Sequence, residues 1–409
     1  MRLAAYEDAI YRRDASGILT VHRTFPLFMF SLAADCDELT VLGRLDPDPG
    51  RSHNVVPDPA AFVALPYYAS AADVGAVVSA LGGTLRRFWA VLGDVDTVWI
   101  NGPSPMALAL AVLALVRRRH IVLGVRQDTL AYARSRFPGR LGPQAAFHVM
   151  EGVWRALARV NAVSTVGPAL SKRYARARRR HELIVSFVSE SDLERPRQPP
   201  GDAPYTVLSV GRLETEKNPL LLADVLADLG ADFRLDVVGE GPLENDLRDR
   251  LAFLGVAHRA DLLGYVPLDG GLMDRYREAD VFLHVSWTEG VPSVLMEAFA
   301  SRAPTVATDV GGVRAVAEGA ALLVPPGDAP AAAAAVRRIV VDDALRQRLV
   351  SAGIERTRLR TGDAERRRFA DFLRAQEHSS RRRHRSAARR SKPERPRPPH
   401  RWWRPRRAT

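Results

Sequence analysis

The chain has 409 residues, enough for two or three domains. Hydrophobic residues make up 46% of it and charged residues 26%, a balance typical of globular proteins with substantial cores. The single cysteine, Cys36, excludes a disulfide framework and a cysteine-based zinc site, and it favours a reducing compartment. No apolar h-region follows Met1, and the longest apolar stretch, Met106 to Val116, is too short to span a bilayer. We therefore expect a cytoplasmic protein, either soluble or peripheral at the inner face of the plasma membrane.

The formal net charge of +12 is concentrated at the carboxyl terminus. Residues 378–409 carry twelve arginines and one lysine against the single acid Glu394. The rest of the chain has 46 basic and 46 acidic residues. The high isoelectric point therefore describes the tail, and its density of arginine and proline predicts a segment that is disordered when free.

The first half contains four short apolar runs that predict strands and two longer ones that predict helices. The strands are Leu39 to Leu42, Thr97 to Ile100, His120 to Val125 and Ala162 to Val166, and the helices are Ala107 to Val116 and Trp154 to Val160. Residues 196–204 are rich in proline and are the best linker candidate. This places an N-terminal, Rossmann-like, acceptor-side domain at 1–195.

The second half alternates strands and helices more regularly. The predicted strands are Tyr205 to Val210, Phe233 to Val238, Leu262 to Val266, Val281 to Val285 and Pro304 to Thr308, with helices over 219–229, 242–254 and 272–279 and from Pro292. This alternation predicts a doubly wound parallel sheet with ligands at the carboxyl ends of its strands. The domain is placed at 205–360, and a helix at 361–377 can cross back to the first domain.

The most informative stretch runs from Trp287 to Ala298. It places Glu289 and Glu297 eight positions apart, with a glycine and a proline between them. Pro292 suits the first position of a helix because its φ is fixed and it has no N–H. The free amides of that helix would face a phosphate, while the carboxylates accept hydrogen bonds from sugar or ribose hydroxyls. This combination predicts a sugar-nucleotide site.

Two cations precede this motif. Arg212 follows the first strand of the second domain, and Lys217 lies at the start of the next helix. A bidentate guanidinium and an ammonium would stabilise a nucleoside diphosphate as it leaves. Either residue alone would be interpreted as a surface helix-cap charge, but the pair at this spacing favours a diphosphate site.

As a set and in this order, the motifs resemble the retaining glycosyltransferases of family 4, which have the two-domain GT-B fold. The matching segments lie within 205–345 and read V-G-R-L-E-T-E-K-N (210–218), V-V-G-E-G-P-L (237–243), L-L-G-Y-V (262–266), H-V-S-W-T-E-G-V-P-S-V-L-M-E-A (284–298) and P-T-V-A-T-D-V-G-G (304–312). The resemblance implies an α/β chain of two Rossmann-like, doubly wound parallel-sheet domains that face a central cleft, followed by the disordered basic tail.

The resemblance also implies roles for single residues. Arg212 and Lys217 would hold the diphosphate. Glu297 would bind the ribose hydroxyls and Glu289 the donor sugar, so that Arg212, Lys217 and Glu289 form the catalytic group. The other implied donor-binding residues are Gly211, Gly264, Tyr265, Val266, Gly290, Val291, Pro292 and Ser293, of which 264–266 would border the nucleobase.

The N-terminal domain departs from the family pattern at two places. Relatives often have a Gly-rich loop after the first strand, where this chain has only Gly17 in Asp14-Ala15-Ser16-Gly17. Many have a His-Asp pair after a mid-domain strand, where this chain has Gln127 before Asp128. We treat Gly17, Arg126, Gln127 and Asp128 as candidates that position the sugar or the acceptor. For the strand-end residues, a capping role is an equally good interpretation.

The predicted activity is that of a hexosyltransferase-type enzyme. It would move a sugar from a nucleoside-diphosphate sugar to a hydroxyl of a glycan, a lipid-linked acceptor or a small metabolite, with retention of configuration. No residue is a convincing nucleophile, so front-face attack guided by the leaving diphosphate is favoured, and no metal or other cofactor is expected. The alternatives are a sugar-nucleotide epimerase-like GT-B enzyme and a non-catalytic sugar-nucleotide-binding scaffold.

The tail suggests a further partner. Its arginine clusters and Trp402-Trp403 suit an anionic membrane surface. The same composition binds nucleic acid nonspecifically, although the body contains no base-reading module that would make nucleic acid a specific partner. A solubilising extension without a partner is an equally good interpretation.

Overall fold

The computed structural model describes residues 1–22, 24–70, 73–137, 139–197 and 203–390, without the side chains of 135, 136, 269 and 377–390. Within these residues the backbone forms two sheets, one between residues 2 and 183 and one between 205 and 324. An apolar cluster lies on each face of each sheet. The α/β, two-domain architecture that the sequence predicts is therefore confirmed.

The first sheet contains nine strands among the described residues. These are β1 (Arg2–Arg13), β2 (Leu19–Val21), β3 (Glu38–Leu45), β4 (Asn54–Val55), β5 (Phe62–Leu65), β6 (Thr97–Gly102), β7 (His120–Val125), β8 (Ala162–Val166) and β9 (Arg179–Leu183). Seven of them pair in parallel in the order β5-β3-β1-β6-β7-β8-β9. The end of β1 pairs instead with β2 in antiparallel, and β2 pairs with β4, which extends this part of the sheet as a hairpin.

Helices of the first domain cover both faces of this sheet. The described helices up to residue 197 are α1 (Phe25–Ser31), α2 (Val74–Asp94), α3 (Pro105–Val116), α4 (Thr129–Arg136), α5 (Leu141–Val160), α6 (Pro168–Arg173) and α7 (Glu190–Glu194). Of these, α7 packs instead with the second domain, because its buried Leu193 belongs to an apolar cluster of that domain. One face is covered by α2, α3 and α5, which bury Phe88, Leu110 and Trp154 in one apolar cluster. The other face is covered by α1.

The second sheet is parallel throughout its described strands. They are β10 (Tyr205–Val210), β11 (Phe233–Val238), β12 (Ala260–Gly264), β13 (Val281–His284), β14 (Thr305–Thr308) and β15 (Ala321–Val324), in the order β12-β11-β10-β13-β14-β15. The strand order reverses between β10 and β13. In open α/β sheets the crevice for ligands lies at the carboxyl ends of the strands at this reversal.

Eight helices of the described residues follow the linker. They are α8 (Leu220–Leu229), α9 (Glu244–Phe253), α10 (Met273–Glu278), α11 (Ser293–Ala300), α12 (Val313–Ala317), α13 (Ala329–Val341), α14 (Asp343–Arg358) and α15 (Gly362–Arg390). The first seven pack on the second sheet or on one another. The last helix, α15, instead returns to the first domain.

Aromatic packing holds α15 against the first domain. Phe369 is fully buried, and its ring centroid lies 4.5 Å from that of Trp99 and 6.3 Å from that of Phe28. Arg366 also forms an ion pair with Asp35. The two domains are therefore joined both by the segment before β10 and by this returning helix.

The second domain follows its predicted elements closely, whereas the first differs more. In the second domain, each predicted strand starts and ends within two residues of the observed one, and only the four-residue β15 was not predicted. In the first domain, β1 and α2 were missed. Glu7 and Asp8 interrupt the apolar run of β1, and α2 contains four glycines, which are unfavourable in a helix interior.

The structure bears differently on three predicted features, which are the helix start at Pro292, the linker and the tail. Pro292 caps α11 from the position before its first residue, because its φ and ψ are −74° and 119° and therefore extended. Most of the predicted linker, at 198–202, lies outside the described residues. The backbone of α15 continues to Arg390, and residues 391–409 of the predicted tail also lie outside the description, so its disorder stays a prediction.

The packing of α15 leads to a stability prediction. Replacing Phe369 with Ala removes a fully buried ring and should lower the free energy of unfolding by about 3–5 kcal/mol. The control is Phe253→Ala, because the Phe253 side chain is 80% exposed. Urea denaturation followed by circular dichroism measures both. Equal losses in the two variants would show that α15 does not hold the first domain.

Candidate active site

A cavity lies at the carboxyl ends of β10 and β13, where the strand order of the second sheet reverses. Predicted site residues that line it are Gly211, Arg212, Lys217, Glu289, Pro292 and Ser293. His284 and Ser286, which were not predicted as site residues, also line it. The fold therefore brings the two predicted cations and one predicted carboxylate into one cavity.

One carboxylate in the lining of this cavity, that of Glu289, has three side-chain partners. Its Oε1 lies 2.6 Å from Lys217 Nζ, 3.0 Å from His284 Nε2 and 2.9 Å from Ser286 Oγ. The Glu289 and His284 side chains are both buried, with 8% and 4% of their surfaces exposed. A buried carboxylate needs such partners because an unpaired buried charge is strongly unfavourable.

These partners control the protonation of Glu289. Burial alone would raise the pKa of Glu289, but the hydrogen bond from His284 and the positive charge of Lys217 outweigh it and lower the pKa to about 2. The carboxylate is therefore ionised at neutral pH. Because an ionised carboxylate can only accept hydrogen bonds, His284 must carry a proton on Nε2.

Local sequence explains how the loop after β13 presents these groups. His284 and Ser286 are two residues apart, so an extended backbone points both side chains to the same side. The loop that carries Glu289 packs against Gly311 and Gly312, where a Cβ would overlap the backbone oxygens of Glu289 and Gly290. Only glycine fits at this close approach.

Arg212 lies at the open edge of the same cavity. Its guanidinium forms ion pairs with Glu214 and, at 3.1 Å, with Glu216, and about half of its side chain is exposed. Both carboxylates belong to the loop that follows β10. A strongly anionic ligand could therefore exchange with these surface pairs at small cost, because exposed ion pairs contribute little.

Glu297 lies behind the cavity and does not line it. It is on α11, buried, and its Oε2 accepts a hydrogen bond of 3.0 Å from Tyr276. Burial raises the pKa of Glu297, against the opposing hydrogen bonds from Tyr276 and Ser293. The predicted contact with ribose hydroxyls would require the carboxylate to turn past Ser293, which does line the cavity.

The segment predicted to border the nucleobase contacts the first domain. Gly264 has a φ of +67°, and the amide of Tyr265 lies 3.4 Å from Glu240 Oε1. The ring of Tyr265 stacks on His53, with centroids 4.0 Å apart and planes at 13°. His53 lies immediately before β4, so the hairpin extension of the first sheet closes this end of the cleft. Val266 follows and is partly buried.

On the opposite side of the cleft, the Gly290–Val291 loop meets the first domain. A Cβ on Gly167 would lie 2.7 Å from Val291 Cγ2, and Gly290 lies beside the backbone of Arg126. The Arg126 guanidinium is 2.5 Å from the buried carboxylate of Glu7 and stacks 4.2 Å from the centre of the Phe25 ring. The middle of β1, at Glu7, and the end of β7 therefore face the loop that carries Glu289.

The other first-domain residues predicted to position the sugar or the acceptor are Asp128, Gln127 and Gly17. Asp128 caps α4 by accepting hydrogen bonds from two backbone amides, and it forms a bidentate pair with Arg173 at 2.6 Å. These bonds outweigh burial and lower the pKa of Asp128. Asp128 therefore has the helix-capping role that the sequence offered as an alternative. Gln127 is exposed. Gly17 lies in the turn between β1 and β2, with a φ of +85° and open space around it.

Three contributors were missed from the sequence. His284 was not predicted as a site residue, but it lines the cavity and its Nε2 forms a hydrogen bond with Glu289. The alternation of His284 and Ser286 before the motif was a signal that could have identified both. Glu7 carried no such signal, because its partner Arg126 is distant in sequence and only the sheet, in which β6 separates β1 from β7, brings them together.

Comparisons with known proteins bear on the second domain and on the fold. Residues 190–356 match the family model "Glycosyl transferases group 1". The teichuronic acid biosynthesis glycosyltransferase TuaC of Bacillus subtilis is 34% identical over 130 residues, which is 32% of this chain and 31% of TuaC. The chain thus aligns with about a third of the length of that relative.

Solved structures match the chain over both domains. Sucrose-phosphate synthase from Thermosynechococcus elongatus has a TM-score of 0.66 at 19% identity, over 92% of this chain and 98% of that chain. Anabaena HepE in complex with UDP and glucose has a TM-score of 0.65 at 17% identity, over 92% of this chain and 100% of that chain. The chain therefore has the GT-B fold, and its residues 190–356 match the Glycosyl transferases group 1 model.

The low pKa of Glu289 leads to a prediction about stability and pH. A carboxylate with a lowered pKa stabilises the folded state above its ordinary pKa of 4.5, and this contribution is lost as the pH falls towards 2. The Glu289→Gln variant should therefore be less stable than the wild type by about 3 kcal/mol at pH 7, with a smaller difference at pH 3.5.

Urea denaturation at pH 7, 5 and 3.5 measures this difference. Glu244→Gln is the matched control, because Glu244 is partly exposed and pairs with Arg248 on the surface of α9. Its effect should stay within about 0.5 kcal/mol at each pH. A difference for Glu289→Gln that does not change with pH would contradict the role assigned to its charge.

Proposed function

We propose that the protein transfers a sugar from a nucleoside-diphosphate sugar to a hydroxyl acceptor. The observation that carries this proposal is the cavity at the strand reversal of the second sheet, where Arg212, Lys217 and Glu289 meet. Cations there suit a diphosphate, and a buried acceptor of hydrogen bonds suits sugar hydroxyls. HepE, which has the same fold, has been solved with UDP and glucose, and this supports a sugar nucleotide as the donor.

In the proposed complex, the diphosphate lies between Arg212 and Lys217, at the amino end of α11. The first amides of α11 add partial positive charge at the same place. Lys217 is kept in position by its 2.6 Å contact with Glu289. The donor sugar would lie beside Glu289, and Glu297 would bind the ribose after its carboxylate turns from Tyr276.

We further propose that transfer retains the anomeric configuration and needs no metal ion. As the bond from the sugar to the diphosphate breaks, negative charge grows on the leaving phosphate. Arg212 and Lys217 would stabilise that charge, which is the role a divalent cation has in other transferases. A phosphate oxygen would take the proton of the acceptor hydroxyl, which would then attack from the same face.

The acceptor would approach from the first domain. Arg126 and Glu7 face the Gly290–Val291 loop from that side, so we propose that they border the acceptor. TuaC is named for teichuronic acid biosynthesis, which supports a glycan or lipid-linked acceptor here. The arginine-rich tail with Trp402 and Trp403 remains a proposed contact with anionic lipid, and its last residues lie outside the described part of the chain.

The donor site predicts a specific loss of nucleotide affinity. One member of a panel of UDP-, GDP- and ADP-sugars should raise the melting temperature, and its free nucleotide should bind. Arg212→Ala should weaken that binding by about tenfold to a hundredfold, because hydrogen bonds between charged groups contribute about 1.5–3 kcal/mol. Arg248→Ala should leave it unchanged, since Arg248 is similarly exposed and also pairs with a glutamate.

Isothermal titration calorimetry measures these affinities, and release of nucleoside diphosphate measures turnover. Donor binding without release, with any acceptor tested, would favour the non-catalytic scaffold. Equal affinity of the wild type and Arg212→Ala would contradict the placement of the diphosphate.

The proposed chemistry also predicts a stereochemical result. With an α-linked donor sugar, the first product observed by proton NMR should be the α-anomer. The rate should not change when EDTA is added, because Arg212 and Lys217 would stabilise the leaving diphosphate without a metal ion. A β-linked product would contradict retention, and loss of activity in EDTA that Mg²⁺ restores would contradict metal independence.

A further inference from the structure

The near-zero charge of the body hides a strongly uneven distribution. Residues 126–180 contain twelve arginines and lysines but only two acids, Asp128 and Glu151. Asp128 is paired with Arg173, and Glu151 is buried and accepts a hydrogen bond of 2.9 Å from Tyr174. Asp128 is therefore paired within the unit formed by α4, α5 and α6, and Glu151 is buried in it, so neither acid adds unpaired negative charge to the outer surface of that unit. Its outer surface carries positive charge that no neighbouring acid of this segment balances.

This surface is also apolar along α5. Trp154 and Ala158 face the core, whereas Val149, Val153 and Val160 are 68%, 45% and 60% exposed. At 100° per residue these three valines lie within 40° of one another and form one stripe along the helix. The exposed positions of α5 carry only two formal charges, Arg155 and Arg159, which lie about 140° and 100° round the helix from the centre of that stripe, both on the same side.

The three elements form one continuous surface. Tyr132 of α4 packs against Phe147 of α5, with ring centroids 6.2 Å apart. At the other end, the guanidinium of Arg178 contacts the carbonyl of Val160 at 3.4 Å. Arg134 and Arg140 are exposed near the start of the stripe, and Arg155, Arg159 and Arg178 near its end. We call this the α5 face.

We propose that the α5 face binds the surface of a lipid bilayer that contains anionic head groups. Exposed valines would enter the boundary between head groups and acyl chains, and the arginines on the flank and ends would reach the head-group phosphates. This proposal does not depend on the proposed glycosyl transfer. It adds a folded surface to the tail, whose lipid contact rests on composition alone.

Charge and shape disfavour the other occupants. A second copy related by two-fold symmetry would place this face against itself and oppose arginines with arginines. Nucleic acid would suit the arginines, but it offers nothing to cover a stripe of valines. In the described part of the chain, no helix is long and apolar enough to cross a membrane, and a face of this kind lies in the interface without crossing it.

The bilayer would lie close to the cleft. The helix α4 begins directly after Asp128, two residues beyond Arg126, whose backbone lies beside Gly290. A protein resting on its α5 face would therefore hold the acceptor side of the cleft near the membrane surface. This position would suit an acceptor that remains attached to a lipid.

The test is co-sedimentation of the full chain with two kinds of vesicle. One contains phosphatidylcholine alone, and the other also contains about 30% phosphatidylglycerol, whose anionic head group gives the surface a negative charge. Wild type should bind only the anionic vesicles. The double variant Arg155→Glu with Arg159→Glu should weaken this binding by about tenfold or more. The matched control is Arg338→Glu with Arg348→Glu, which makes the same change of charge at exposed positions of α13 and α14. The control should bind as the wild type does.

A second measurement reports on the valine stripe itself. In a Cys36→Ser background, an environment-sensitive fluorophore on Val149→Cys should shift its emission to the blue with anionic vesicles. The same label on Val341→Cys, which replaces an 81% exposed valine of α13, should not shift. Circular dichroism and melting temperature verify that each variant is folded.

Three results would overturn the proposal. Equal binding by the two double variants would assign vesicle binding to the tail or to overall charge. Light scattering that shows a wild-type dimer, absent in Arg155→Glu with Arg159→Glu, would identify the face as a contact between copies. Tighter binding to single-stranded RNA than to anionic vesicles, lost in the same variant, would assign the face to nucleic acid.

Discussion

The candidate site depends on one buried carboxylate. Glu289 is removed from water and would be unfavourable as an anion without its contacts to Lys217, His284 and Ser286. Those contacts join the loop after β10 to the loop after β13, across the reversal of strand order. The charge of Glu289 therefore orients the lysine that we propose to hold the diphosphate. A neutral side chain at this position would leave Lys217 without its buried partner.

The second constraint is the return of α15 to the first domain. Phe369 of α15 packs between Trp99 and the helix α1, so this helix contributes to the apolar core of the first domain. Contacts at the cleft include the stack of His53 on Tyr265. Closure of the two domains around bound substrates would change such contacts, while each sheet keeps its own apolar clusters. Such closure would exclude water from a transfer reaction.

Charged side chains are distributed unevenly between the two domains. At the open edge of the cavity, Arg212 of the second domain pairs with Glu214 and Glu216, while the helices α4 to α6 of the first domain present basic side chains outward. The total over the body is zero, and so the net charge conceals the contrast. If both proposals hold, the donor site and the α5 face place the acceptor side of the cleft between a soluble sugar nucleotide and a membrane.

Most strands and helices of the second domain could be predicted from the sequence, because its strands are buried on both faces and appear as continuous apolar runs between glycines and prolines. The sequence alone therefore determined the alternating α/β order, the position of Arg212, Lys217 and Glu289 at strand ends, and the family resemblance. It did not determine the first domain as well, because glycines weaken α2 and acids interrupt β1. The pairing of Glu7 with Arg126, the turning of Glu297 towards Tyr276 and the contacts of Glu289 were decided by tertiary structure. These contacts join residues distant in sequence or set the direction of single side chains, and only the packing of neighbouring strands and helices fixes either.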